Sequence, residues 1–226
     1  MNQKSVWFFE EVDLYEMLCP YKYKDHLKTH PLSCYNKTDF LFMEGDPVRE
    51  IFLVAEGKVK VSFYDPEGNE QVLAFLSKGE ILGETALIGQ ARYREFAQAV
   101  VDRTMICRLG VDKARELMRD YVPFSLTITK RFGEKSQRLE RRLQILLFKD
   151  ARQRLVAFLK DLCRDIGTAH ASGTKVELDI TQSDIAALIG ASRKTVSLLF
   201  TDLEMEGVVR FNGRKELFVS NVEQLI

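Results

Sequence analysis

The sequence predicts an α+β protein in three parts: an N-terminal β-roll, a long helix and a C-terminal winged helix-turn-helix. Three observations predict it. Glycines set in polar knots recur at Gly45, Gly57, Gly68 and Gly79, with gaps of 12, 11 and 11 residues. From about Pro123 to Asp150 the chain holds no glycine except Gly133 and its apolar residues recur at a near-heptad period. Residues Thr181 to Leu203 then place a small residue, a glycine turn and two apolar faces at the offsets of two short crossed helices.

Between the glycine knots lie short apolar runs, Ile51-Phe52-Leu53-Val54 and Gln71-Val72-Leu73-Ala74-Phe75-Leu76. Val59, Val61 and Phe63 alternate with Lys58, Lys60 and Ser62. Short strands with turn signals at this spacing form an all-β roll or barrel, here read as a double-stranded β-helix. A further strand stretch runs from Phe96 to Leu109.

In the helical stretch, Ile128, Phe132, Leu139, Leu143 and Leu146 follow one another at steps of 4, 7, 4 and 3. Arg131, Glu134, Lys135, Arg138, Glu140, Arg141 and Arg142 fill the other faces. A narrow apolar stripe near the heptad period marks a dimerisation helix. Asp150 can cap a second helix carrying Leu155, Val156, Phe158, Leu159 and Leu162. The hinge is therefore placed near Asp150. The expected domains are residues 1–120, 121–150 and 151–226. A polar loop from Gly167 to Lys175 and a strand from Val176 to Asp179 complete the approach to the last segment.

Thr181 and Asp184 resemble a capping box. Ile185, Ala186, Leu188 and Ile189 form the apolar face of the helix they open, and Ala186 is small enough for a close helix crossing. Gly190 supplies a left-handed turn. Ser192 can cap the next helix, with Val196, Leu199 and Leu203 inward. Arg193, Lys194 and Ser197 point outward, with Gln182 and Thr195 at the two helix starts. Donors so placed can meet base edges and phosphates in a major groove. Val208 to Phe211 and Leu217 to Val219 flank Asn212-Gly213, a two-residue hairpin signal that makes a wing. Arg210, Arg214 and Lys215 cluster on it.

The whole chain sets limits. Its 226 residues are 46% apolar and 29% charged, as in a soluble globular protein. Formal net charge is zero, so a nucleic-acid contact must rest on local charge. From Thr181 onward there are five basic and six acidic residues, with the positive charge confined to the second helix and the wing. No apolar run is long enough to span a bilayer. Trp7, Phe8 and Phe9 run at once into Glu10, Glu11 and Asp13, which is not signal-peptide order. The expectation is a cytoplasmic protein without membrane association. Cys19, Cys34, Cys107 and Cys163 are scattered with no C-x-x-C, so reduced, mostly buried thiols are expected rather than an iron–sulfur centre. His26, His30 and His170 form no H-x-H pair, and there is no P-loop, G-x-G-x-x-G or nucleophile elbow. Neither catalysis, a metal nor a cofactor is expected.

A β-roll containing Gly79-Glu80-Ile81-Leu82-Gly83-Glu84, a long helix, an Asp hinge and a helix-turn-helix with a wing resemble the CRP/FNR family of bacterial transcription regulators. The resemblance covers about Phe40 to Val219. It implies a cyclic-nucleotide-binding-like sensor domain, a homodimer, an inverted-repeat DNA operator and contact with RNA polymerase. In members that bind cyclic AMP, Gly83, Glu84 and Thr85 would open the phosphate and ribose cradle. Helix-start amides suit an anion and a carboxylate suits a ribose hydroxyl. An Arg-Ser pair follows there at the positions of Arg94 and Glu95. A Thr-Ser pair on the long helix matches Leu139 and Glu140. The arginine is kept, but a carboxylate replaces the serine and the adenine readout is gone. The resemblance thus implies an effector other than cyclic AMP, or none. In the same members a Glu follows the Arg193 position and a further Arg stands where Leu198 does. Lys194 can only donate, so a different half-site is expected. An alternative from another class stays open: a ligand-sensing β-roll that regulates a protein partner rather than DNA. A β-barrel enzyme is a third.

Overall fold

Among the described residues, eight short strands build the N-terminal part: β1 (Leu32–Tyr35), β2 (Phe40–Phe42), β3 (Glu50–Glu56), β4 (Val59–Tyr64), β5 (Glu70–Leu76), β6 (Ile81–Leu82), β7 (Phe96–Ala99) and β8 (Thr104–Gly110). They pair antiparallel in two four-stranded sheets, ordered β1-β8-β3-β6 and β2-β7-β4-β5. The four spaced glycines all take φ between 83 and 87°, so each knot is a turn. Pairing is mostly non-sequential: Ile51 lies opposite Leu109 and Leu53 opposite Cys107, as a rolled double strand requires. Val54, Val59, Phe75, Phe96, Ala97 and Ile106 fill the interior. This is the computed structural model of the chain, and it describes residues 32–171, 173–213 and 215–225. Those residues fall into two compact units divided between Ser136 and Gln137.

Two features of the roll differ from the sequence expectation. The stretch from Phe96 to Leu109 is two strands in different sheets, broken at Val100–Arg103 where Arg103 takes φ 56°. A helix, α1 (Val111–Asp120), follows β8 and buries Ala114 and Leu117. It packs with α2 (Val122–Phe148) on one face of the roll, where Phe124 and Ile128 meet Ile51, Leu53, Cys107 and Leu109. Full burial of each such side chain contributes about 1.5–3 kcal/mol.

That packing corrects the expected seam. Ile128 is 1% exposed and Phe132 packs on the same cluster, so both serve the N-terminal core and neither lies on an open stripe. The exposed line is a different one. Val122, Leu126, Thr129, Gly133, Ser136, Glu140, Leu143 and Leu147 are all exposed, at alternating steps of four and three. Leu139 and Phe148 flank it and are exposed as well. The sequence pattern merges two faces because a helix that packs on its own core and also keeps a heptad line has apolar residues on both.

The C-terminal unit begins within α2 and continues with α3 (Ala151–Ile166). Asp150 caps α3 as expected: its carboxylate accepts from the Gln153 N–H at 2.8 Å, and the Gln153 side chain answers the Asp150 N–H. Leu155, Phe158, Leu159 and Leu162 are its buried face. The expected polar loop contains a hairpin, β9 (Thr168–His170) against β10 (Gly173–Glu177). Both strands are short and mostly polar, and β9 is the edge of its sheet, so no apolar alternation announces the hairpin. α4 (Gln182–Ile189), α5 (Arg193–Met205), β11 (Val209–Asn212) and β12 (Glu216–Val219) follow, and the sheet runs β11-β12-β10-β9. Among the described residues, no helix is long and apolar enough to cross a membrane.

Candidate functional site

The helix-turn-helix is held by its caps. Thr181 Oγ1 accepts from the Asp184 N–H at 3.1 Å, and Asp184 accepts from the Thr181 N–H at 2.9 Å. Two orphan donors of α4 are thereby satisfied. At the other end Gly190 adopts φ 63°, ψ 47°. A Cβ there would stand 3.1 Å from Arg154 Nη1 and 3.2 Å from Leu146 Cδ2, close to side-chain ends, and the left-handed conformation is what calls for glycine.

Two arginines close the same turn, and nothing in the sequence singles them out for this. Arg142 Nη2 donates to the Leu188 carbonyl at 2.9 Å. Arg154 Nη1 donates to the carbonyls of Ile189 at 2.8 Å and Gly190 at 3.1 Å. Cations suit a helix C-terminus, where unpaired carbonyls gather negative charge. No local pattern could show this, because the acceptors are 35–46 residues away in sequence.

Ser192 Oγ accepts from the Thr195 N–H at 3.0 Å and fixes the start of α5. Thr195 Oγ1 lies 2.8 Å from Ser192 Oγ, so this side chain belongs to the cap. Val196, Phe200 and Leu203 are the buried face. Phe200 replaces the expected Leu199, which is half-buried, and its ring meets Phe211 of the wing edge-on at 5.0 Å. The outward face presents Arg193, Lys194, Ser197 and Leu198, all exposed. Gln182 is half-buried at the start of α4.

In the wing, Asn212 pairs with Glu216 and its side-chain amide donates to that carboxylate at 2.6 Å. Asn212 is thus part of the ladder rather than of the turn, where the dipeptide signal puts it. Arg210 is exposed and lies over the Phe218 ring at 5.2 Å. Lys215 is exposed too. Arg214, the third expected wing cation, lies outside the described residues.

The candidate effector pocket is in the roll. Gly83 takes φ 76° and opens a short 3₁₀ helix, Glu84–Ile88. A side chain there would crowd the Glu50 carbonyl at 3.0 Å. Glu84 is buried and its partner is Lys135 of α2, which the sequence pattern puts only on a solvent face. Arg94 is exposed. Burial pushes the Glu95 carboxyl above its ordinary range, with Lys135 opposing and Glu84 adding to the rise. The Thr85 hydroxyl is buried and has no hydrogen-bond partner among the described residues. Glu84 and Glu95 thus share the site with Lys135 and Arg94, whose charges both act on Glu95. Leu139 and Glu140 are both exposed and belong to the other compact unit.

Other candidates resolve simply. Cys34 is exposed, Cys107 and Cys163 are buried, and none of the three is in a disulfide. Cys34 is exposed because it sits on an edge strand of the roll. Burial pushes the Cys163 thiol up to about 11. Cys19, His26 and His30 lie outside the described residues. No group of three or more metal-ligating side chains occurs among the described residues.

The family model of the cyclic nucleotide-binding domain matches residues 33–121. That of the Crp-like helix-turn-helix domain matches residues 153–226. The chain belongs to the CRP/FNR family. It is a CRP/FNR-type transcription regulator with a helix-turn-helix DNA-binding domain. A CRP-like cAMP-activated global transcriptional regulator of Mycobacterium tuberculosis is 27% identical over 185 residues, 82% of each chain. A global nitrogen regulator of Synechocystis is 25% identical over 182 residues, covering 80% of this chain and 81% of that one. Among solved structures, a mutant of CooA from Carboxydothermus hydrogenoformans superposes with a TM-score of 0.81 at 28% identity, covering 99% of this chain and 98% of that one.

The Glu95 carboxyl carries a pH prediction for this CRP/FNR sensor domain. A carboxyl whose folded pKa is raised above the ordinary 4.5 holds its proton more firmly folded than unfolded. Its contribution is fully present below that value and is lost as pH rises through the folded pKa. Glu95→Gln should therefore gain stability over the parent from acid to neutral pH. Denaturant titrations of both proteins at acid and at neutral pH check this, and a difference that stays constant contradicts it.

Proposed function

We propose that the chain acts as a homodimer on an inverted-repeat operator, with one α5 in each of two successive major grooves. The observation that carries this reading is the outward set Arg193, Lys194 and Ser197 on a helix capped at Ser192 and braced at Gly190. In this reading Arg193, Lys194 and Ser197 face base edges. Gln182, Arg210 and Lys215 face phosphates, which position the protein without carrying sequence information. The chain works in the cytoplasm, has no catalytic role, and meets RNA polymerase at the promoter. The pocket of Gly83, Glu84, Thr85, Arg94 and Glu95 takes an effector other than cyclic AMP or none. Leu139 and Glu140 supply no hydroxyl to read an adenine.

Selection from random DNA followed by a gel shift at stated salt tests the central part. The expected product is an inverted repeat whose half-sites contain a guanine read by the Arg193 fork. Arg193→Ala should then cost about 1–3 kcal/mol and relax one base position per half-site. Loss spread evenly over all sequences would instead make Arg193 a phosphate contact. A regulator acting only through a protein partner would select no DNA.

The exposed line on α2 supports the dimer. Its apolar residues have no cover within the described chain, and Thr129, Gly133 and Ser136 in its middle let two helices approach closely. Leu143→Glu places an unpaired charge in that seam, which is strongly unfavourable when buried. Sedimentation should show monomer at concentrations where the parent is dimeric. An unchanged dimer would remove Leu143 from the seam.

The pocket charges support the effector assignment. Glu95 stands where a phosphate donor would be needed, and Lys135 is engaged with Glu84. Calorimetry with cyclic AMP should detect no binding at micromolar ligand. Micromolar or tighter binding would contradict this.

A further inference from the structure

On the outward face of α5, Leu198 is a large apolar side chain left 57% exposed. It follows Lys194 by one helical turn, so the two lie on one line along the helix. Its own fold gains little from it. The inward face of α5 is already filled by Val196, Phe200 and Leu203, and the wing is joined to the helix through Phe200 and Phe211.

An apolar group on a base-reading face has few partners. The base edges in the major groove present hydrogen-bond donors and acceptors, and the one apolar group there is the thymine C5-methyl. We propose that Leu198 is a specificity-determining residue that packs on a thymine methyl in each half-site. This rests on the placement of α5 in the major groove proposed above. Five residues separate Leu198 from Arg193, a rise of about 7.5 Å along the helix. At that separation the thymine is a different base of the half-site from the guanine that Arg193 reads. The contact is independent of charge, so it adds discrimination without adding to the salt slope.

The test uses the full chain and its selected operator, with each thymine replaced in turn by deoxyuridine, which lacks only the methyl. The parent should lose about fourfold in affinity at one position per half-site, and about fifteenfold when both half-sites are changed, the value of one buried carbon each. Leu198→Ala should bind the thymine and uracil forms alike. Leu198→Met, which keeps an apolar tip, should restore the difference. A parent indifferent to uracil at every position overturns the proposal while leaving DNA binding intact, because the unmodified operator is still bound. A Leu198→Ala variant as sensitive to uracil as the parent overturns it too. A parent that selects no DNA overturns the groove placement and this contact together.

Discussion

The C-terminal unit depends on a single turn. Gly190 reverses the chain in a left-handed conformation, and the α4 carbonyls it leaves behind are taken by Arg142 and Arg154. Without those donors, the buried end of α4 would hold unsatisfied acceptors at a cost of about 1–3 kcal/mol each. Without the glycine, the turn itself would be strained. Together they set where α5 begins, and Ser192 then fixes its first turn. The outward direction of Arg193 and Lys194 follows from that chain of constraints.

The long helix α2 serves several purposes at once. Its buried side supplies Phe124 and Ile128 to the core of the roll. Lys135 reaches Glu84 at the pocket. Arg142, about two turns further on, braces the helix-turn-helix. Another side keeps the exposed 3-4 line of Val122, Leu126, Leu143 and Leu147. Ile128, Lys135 and Arg142 follow one another at seven-residue steps along one face, and the exposed line takes another.

Much of this is legible in the sequence, and the parts that are not share a cause. The glycine spacing, the caps at Asp150, Thr181 and Ser192, and the turn at Gly190 are local signals, and all reappear in the structure. The heptad reading of the seam fails at Ile128 and Phe132, which fit that period while packing inward. Phe200 rather than Leu199 faces the core because the wing ring of Phe211 lies against it, which is a tertiary fact. The Asn212 side chain adds a rung to the hairpin, so the dipeptide signal places the turn one residue early. Lys135, Arg142 and Arg154 meet partners far away in sequence, and an arginine-rich helix gives no hint which of its cations will be engaged. The departures from the cyclic-AMP-binding pattern at Glu95, Leu139 and Glu140 are visible from residue type, while the pairing of Glu84 with Lys135 is not.

In the proposed function, a braced helix α5 from each of two copies is seated in the major groove of one DNA. A chemical footprint of the full chain on its selected DNA tests this most directly. Two protected patches, centred about 34 Å apart on one face of the duplex and carrying guanines whose methylation blocks binding, are the expected result. A single patch, or protection confined to the sugar–phosphate backbone with no guanine interference, would contradict it.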